Sequence, residues 1–130
     1  MVSLVLVSHS RALADALLPL IREMANDEVQ IAVAAGAGDD GTDFGTDAVA
    51  IMQAVESVDS PDGVLVLGDM GSALLSTDTA LELLPEATRE RTRLLSAPFV
   101  EGAMAAAIQA SMGSPVDDVV REAQNALAQK

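Results

Sequence analysis

Four short stretches of the chain are centred on apolar residues and show no polar face. Leu4–Val7 runs into Ser8-His9-Ser10, Val29–Ala34 into Ala35-Gly36, Gly63–Leu67 into Gly68-Asp69, and Arg93–Ser96 into Ala97-Pro98. Such runs suit strands that are covered on both sides, as in a parallel sheet. The segments between them have helical length and helical spacing of apolar residues. Leu13, Leu17, Ile21 and Met24 are predicted to share one face, and Ala48, Met52 and Val55 a second. Leu74, Asp78 and Leu81, with Leu84 nearby, give a third; Val100, Met104 and Ile108 a fourth; Val116, Val119, Ala123 and Leu127 a fifth. The order is βαβαβαβα with a closing helix. This alternation predicts one three-layer α/β domain over residues 1–130, doubly wound, with a mainly parallel sheet and right-handed crossovers.

Several joints follow from local chemistry. Ser10 is placed to N-cap the first helix, Gly113 to close the fourth, and Ser114-Pro115 to open the fifth. Pro19 falls inside the first helical pattern, where it predicts a kink or a break. The stretch from Gly36 to Gly45 is too rich in glycine and aspartate for regular structure. The alanine-rich segment Ala103–Ala110 allows close approach, and is expected to pack tightly on the sheet or in a dimer interface.

Composition narrows the function. Acidic residues number 20 against 7 basic ones, for a formal net charge of −13. That field repels a phosphate backbone and an anionic membrane surface, so neither nucleic acid nor membrane is an expected partner. Cysteine, tryptophan and tyrosine are absent, and Phe44 and Phe99 are the only aromatic residues. Thiolate chemistry, disulfides, cysteine metal sites and base-stacking platforms are thereby excluded. No apolar run reaches membrane-spanning length, and the opening Met1-Val2-Ser3-Leu4 lacks the basic start of a signal peptide, so the expected location is cytoplasmic.

In an open parallel sheet, ligands bind beyond the carboxyl ends of the strands. All four strand-to-helix junctions belong on that edge, and they include the sole histidine, His9. A neutral imidazole there can act as a nucleophile, beside a helix N-terminus that stabilises an attached anion. If the first and third strands are neighbours, as in the flavodoxin-like order, Asp69 adjoins His9 and can fix its tautomer. Gly71 and Ser72 open the next helix and offer backbone N–H groups to phosphate oxygens. The plainer alternative is that His9 and Asp69 merely cap a loop and a helix.

Other residues point less sharply. Asp39, Asp40 and Asp43 do not match a calcium-loop pattern and read as solvated turn residues. Met70-Gly71-Ser72-Ala73-Leu74 lacks the second glycine of a nucleophile elbow, which weighs against a His9/Asp69/Ser72 hydrolase triad. Gly36-Ala37-Gly38 is not a dinucleotide fingerprint. Arg89, Arg91 and Arg93 read as a solvated approach to the fourth strand. Arg11 is either a phosphate or partner contact or a plain surface arginine.

Val5-Leu6-Val7-Ser8-His9-Ser10 resembles the opening of the mannose-type EIIA domains of the bacterial phosphoenolpyruvate-dependent phosphotransferase system. Further motifs are more specific: Ala34-Ala35-Gly36, Gly45-Thr46-Asp47-Ala48-Val49, Glu56-Ser57-Val58, Gly68–Ser76 and Ala97–Gly102. Together they are similar to the phosphoryl-carrier subunits of dihydroxyacetone kinases, over nearly the whole chain. The resemblance implies parallel strands flanked by helices and a homodimer. It implies that HPr, charged by enzyme I, phosphorylates His9. His9 then donates to ADP held, with magnesium, in a nucleotide-binding kinase subunit, so this chain binds no cofactor of its own. By the same resemblance Asp69 orients the imidazole, and Ser10, Thr46, Gly71 and Ser72 line the phosphoryl pocket. Partner docking is expected on a shallow apolar rim around His9, with Arg11, Met70 and Phe99 as contacts. Two rivals remain: a sugar-transport EIIA domain delivering to an EIIB domain, and a non-catalytic α/β dimerisation or binding module. A histidine phosphatase is set aside, because this chain has neither the Arg-His-Gly start of that superfamily nor a second histidine.

Overall fold

The structure is a computed structural model that describes residues 1–129. Four parallel strands, β1 (Ser3–Ser8), β2 (Ile31–Ala35), β3 (Val64–Gly68) and β4 (Thr92–Leu95), form one sheet in the order β2-β1-β3-β4. The predicted parallel α/β class and flavodoxin-like order are both present. The helices are α1 (Arg11–Arg22), α2 (Ala48–Ser57), α3 (Gly71–Glu82), α4 (Glu86–Glu90), α5 (Phe99–Ser111) and α6 (Val116–Gln124), followed by a 3₁₀ turn at Asn125–Gln129.

Because side chains alternate along a strand, each apolar run feeds two separate cores. Leu4, Leu6, Leu65 and Leu67 face α1, α5 and α6, where they meet Leu17, Ile21, Ala103, Ala106, Ala107, Ala110, Val119 and Ala123. Val5, Val7, Val64 and Val66 face α2 and α3, against Ile51, Ala54, Val55, Ala73 and Ala80. The strands are thus buried on both faces, which is why their sequence lacks alternation. The alanine-rich stretch of α5 packs on the sheet.

Several helical faces differ from the predicted ones. The buried side of α1 is Ala14, Leu17 and Ile21, while Leu13 and Met24 are exposed. On α2, Ile51 and Ala54 join Val55 where Ala48 and Met52 were expected. On α3 the buried residues are Ala73, Thr77 and Ala80 rather than Leu74, Asp78 and Leu81. On α5 the small residues Gly102, Ala103, Ala106, Ala107 and Ala110 face inward, and Met104 and Ile108 lie at the margin. On α3 and α5 the cause is size: a helix lying close on the sheet turns its smallest side chains inward. Leu127 lies in the 3₁₀ turn and is exposed.

Three further expectations need correction. Pro19 does not break α1, which runs through it to Arg22. Proline there costs only the bond to the Asp15 carbonyl, and both residues are exposed, so water can take the place of the missing donor. A short helix, α4, precedes β4. The arginines beside it are not simply solvated: Arg91 holds Asp59 through two hydrogen bonds of 3.1 and 2.6 Å, and Arg93 holds Asp117 at 2.8 Å. Pro115 is the N-cap of α6 rather than its first helical residue.

Gly68, the last residue of β3, sets how closely α3 approaches the sheet. A Cβ built there would lie 2.9 Å from the Ala73 Cβ and 3.1 Å from the Leu74 Cδ2. Gly71→Ala, by contrast, would place its Cβ where nothing lies within 4 Å. Gly68→Ala should therefore cost about 1–3 kcal/mol through overpacking, whereas Gly71→Ala should be neutral or stabilising by about 0.4–1 kcal/mol. Urea unfolding of the two variants checks the contrast.

Candidate functional site

The register of β1 against β3 creates the site. Val7 lies opposite Gly68, so the residues that follow each strand, Ser8-His9 and Asp69, come together at the carboxyl edge. Asp69 donates its backbone N–H to the Val7 carbonyl at 3.1 Å, which extends the ladder by one bond and turns its side chain toward β1.

The Asp69 carboxylate then receives three hydrogen bonds. Oδ1 meets Nδ1 of His9 at 2.9 Å, while Oδ2 accepts from the His9 backbone N–H and from the Ser8 hydroxyl, each at 3.0 Å. Burial pushes this carboxyl up, but the bonds from the His9 amide, the His9 ring and the Ser8 hydroxyl outweigh it and hold the group below the ordinary aspartate value. An ionised carboxylate can only accept, so Nδ1 of His9 carries a proton. In the neutral ring the lone pair is then on Nε2, on the side away from Asp69. Nε2 meets the Ser72 hydroxyl at 2.7 Å, with Ser72 donating. His9 is partly open, its side chain 21% exposed against 8% for Asp69.

The surrounding helices complete the setting. Ser10 caps α1 by accepting the Leu13 N–H at 3.2 Å, and its own N–H donates to Ser8 Oγ at 3.0 Å. Gly71 and Ser72 open α3, whose N-cap Met70 makes no side-chain capping bond. The positive ends of two helices, α1 and α3, therefore begin beside one imidazole.

The loop from β2 to α2 closes the other side. Gly36 donates to the Ser8 carbonyl at 3.2 Å, and Gly45 donates to the His9 carbonyl at 2.8 Å. Between them Ala37 and Asp43 form an antiparallel bridge, and Thr42 donates to Asp40 through its amide at 3.1 Å and its hydroxyl at 2.7 Å. Gly36 is obligatory: its φ is +79°, and a Cβ would stand 2.1 Å from the Gly41 oxygen. The loop is thus tied to the backbone on both sides of His9, and it leaves Phe44 85% exposed. A cavity of about 510 Å³ opens between Phe44, Leu13, Met70, Gly45, Ser10, His9 and Asp69.

The sequence-predicted residues are distributed as follows. His9, Asp69 and Ser72 form one hydrogen-bonded line, with Ser10 and Gly71 at the two helix starts beside it. Thr46 turns its hydroxyl to that of Ser76 on α3, at 2.6 Å, rather than joining the His9 line. Met70 is exposed on the cavity wall, whereas Phe99 packs against the core at the start of α5. Arg11 pairs with Asp15 at 3.6 Å. Two residues were missed. Ser8 is fully buried and couples Asp69 to Ser10; its signal was a hydroxyl ending an apolar strand directly before the histidine. Phe44 was signalled by its rarity, as one of two aromatics and the only one in a loop of glycines and aspartates.

Because the folded Asp69 carboxyl titrates below its ordinary value, it adds to stability above about pH 4, and that contribution is lost as pH falls through the lowered value. The urea midpoint difference between wild type and Asp69→Asn should accordingly be largest near neutrality and shrink as pH falls from about 5 through the lowered carboxyl value.

Comparison with known proteins agrees with this geometry. Residues 3–120 match the EIIA-man family, described as the PTS system fructose IIA component. A protein of Escherichia coli K12, the "PEP-dependent dihydroxyacetone kinase, phosphoryl donor subunit DhaM", is 49% identical over 131 residues, which is all of this chain and 28% of the relative. A Listeria innocua protein, "PEP-dependent dihydroxyacetone kinase 2, phosphoryl donor subunit DhaM", is 38% identical over 125 residues, covering 96% of this chain and 98% of the relative. The chain thus spans 28% of the length of the E. coli relative and of its Klebsiella michiganensis and Pantoea ananatis counterparts. The crystal structure of the unknown function protein EF1359 superposes with a TM-score of 0.85 at 35% identity, over 95% of this chain and 93% of that one. With a matched region that runs from the first strand into α6 and so contains the whole His9 edge, the chain belongs to the EIIA-man family.

Proposed function

We propose that the chain is a phosphohistidine carrier that takes a phosphoryl group from phospho-HPr on Nε2 of His9 and delivers it to ADP in the nucleotide-binding subunit of a dihydroxyacetone kinase. The observation that carries this reading is the hydrogen-bonded line Asp69–His9–Ser72, in which Asp69 holds Nδ1 and leaves the Nε2 lone pair facing only an exposed, displaceable hydroxyl. The similarity to phosphoryl donor subunits of dihydroxyacetone kinases suggests the acceptor.

In the loading step Nε2 attacks phosphorus, the new P–N bond forms as the donor's P–N bond breaks, and the donor ring regains its lone pair. The His9 ring becomes cationic, and the buried Asp69 carboxylate holds that charge while Nδ1 keeps its proton. The Ser72 hydroxyl gives up Nε2 and donates to a phosphoryl oxygen, helped by the α1 and α3 N-termini. Discharge runs the same path in reverse, with a β-phosphate oxygen of ADP as the attacking atom. The partner brings magnesium with its nucleotide. Both partners dock on the apolar rim, to which Phe44 and Leu13 contribute beside Met70. Phe99 is partly buried against the core at the start of α5 and is not among the residues lining the cavity. The resemblance to carrier subunits also favours a homodimer working in the cytoplasm.

Incubation with phosphoenolpyruvate, enzyme I and HPr should add about 80 Da, acid-labile and located on His9. His9→Ala should gain nothing. Asp69→Asn should load roughly a hundredfold more slowly, the scale expected when a proton-positioning group is lost. Addition of the ADP-loaded kinase subunit should discharge the protein; discharge only by an EIIB domain would overturn the acceptor assignment.

A further inference from the structure

The nucleophile-elbow spacing is absent from the sequence, yet the structure assembles the relay it would serve. Ser72 Oγ, His9 Nε2, His9 Nδ1 and Asp69 Oδ1 lie in series, at 2.7 Å and 2.9 Å across the two hydrogen bonds. This is the order of roles in a serine hydrolase: a hydroxyl donating to a base whose far nitrogen is held by a carboxylate. We propose that, while His9 carries no phosphoryl group, Ser72 acts as an acyl-accepting nucleophile that cleaves small activated carboxylic esters, with His9 as general base and Asp69 as its orienting group.

Two features replace the missing elbow. Ser72 is exposed and stands one residue into α3, just past the Asp69-Met70 turn that follows β3, so it occupies a strand–turn–helix junction. An elbow's glycines let the helix approach the strand, and Gly68 does this here, since any Cβ on it would meet Ala73 at 2.9 Å. At the start of α3 the amides of Gly71 and Ser72 precede any intrahelical acceptor, and Met70 supplies no side-chain cap. Those N–H groups, at the positive end of a 12-residue helix, suit an oxyanion. The cavity beside His9, walled by Leu13, Phe44 and Met70, accepts a short apolar group on the ester.

The chemistry closes without any further reagent than water. Ser72 Oγ attacks the carbonyl carbon as its proton passes to Nε2. The tetrahedral intermediate then expels the alcohol oxygen, which takes that proton. Water attacks the acyl-serine, giving its proton to Nε2 and from there to Ser72 Oγ as the acid departs. Phosphorylation at Nε2 removes the base, so one imidazole serves one chemistry at a time. The inference stands on the hydrogen-bonded line itself and does not require the carrier reading.

The test is hydrolysis of p-nitrophenyl acetate by the full chain, freed of phosphate by mild acid and refolded or purified unphosphorylated. The expected result is turnover with an acetyl adduct of about 42 Da on Ser72 in acid-quenched samples. Ser72→Ala, with its far-ultraviolet circular dichroism unchanged, should lose at least about tenfold in rate, as should His9→Ala and Asp69→Asn. A serine-directed fluorophosphonate should label Ser72 in wild type and fail to label it in His9→Ala. An unchanged rate in Ser72→Ala, an acetyl group found on His9 instead, or no turnover above that of free imidazole would each overturn the inference. Loading of His9 from HPr is scored separately, so loss of one activity does not decide the other.

Discussion

The carboxylate of Asp69 is the point on which this structure turns. It takes bonds from a ring nitrogen, a backbone amide and a buried hydroxyl, and two of those donors belong to the single residue whose chemistry it controls. By holding both the backbone and the ring of His9, it fixes where the imidazole sits and which nitrogen is free. A free histidine ring exchanges between two tautomers; here one is selected by a carboxylate at the end of a strand that joins the sheet some 60 positions later in the chain. A buried carboxylate is costly unless its lone pairs are met, and here the residues that meet them are the ones the site needs in place.

Much of this was legible in the sequence, for reasons that differ from element to element. The strands were readable because β1 and β3 are covered on both faces and so carry unbroken apolar runs. The sheet edge was readable because the first and third runs end in serine, histidine, glycine and aspartate, and the second runs into glycine. The pairing of His9 with Asp69 needed only one extra assumption, that β1 and β3 are neighbours. The helix faces were harder. On α3 and α5 the large leucines and methionines suggested a core that is in fact built from alanine, threonine and glycine, because closeness to the sheet selects for small side chains. Ser8 escaped notice because a hydroxyl at the end of a strand looks like a boundary, and only coordinates reveal that it is buried and shared between Asp69 and Ser10.

The loop from Gly36 to Asp47 shows how an irregular segment can still be rigid. Its hydrogen bonds run to the carbonyls of Ser8 and His9 as well as across its own neck. The chain thereby spends one of its two aromatic side chains in solvent, next to the reactive nitrogen, while the other lies against the core. Exposing so large an apolar surface is unfavourable for the isolated domain, and it lies beside His9 on the cavity wall. The same segment carries four exposed aspartates, Asp39, Asp40, Asp43 and Asp47, while Arg11 lies on the surface beside Phe44.

The distance in sequence between the two halves of the site also has a kinetic meaning. A growing chain that has produced β1, α1 and β2 already possesses its imidazole, but the carboxylate, the serine at 72 and the third strand are still to come. Closing the β1–β3 pair joins residues about 60 apart, a long loop whose entropy is met only when both faces of the sheet begin to pack. If His9 is the nucleophile proposed above, its reactivity is acquired with the completed topology: a chain whose β3 has not docked has no Asp69 to hold Nδ1.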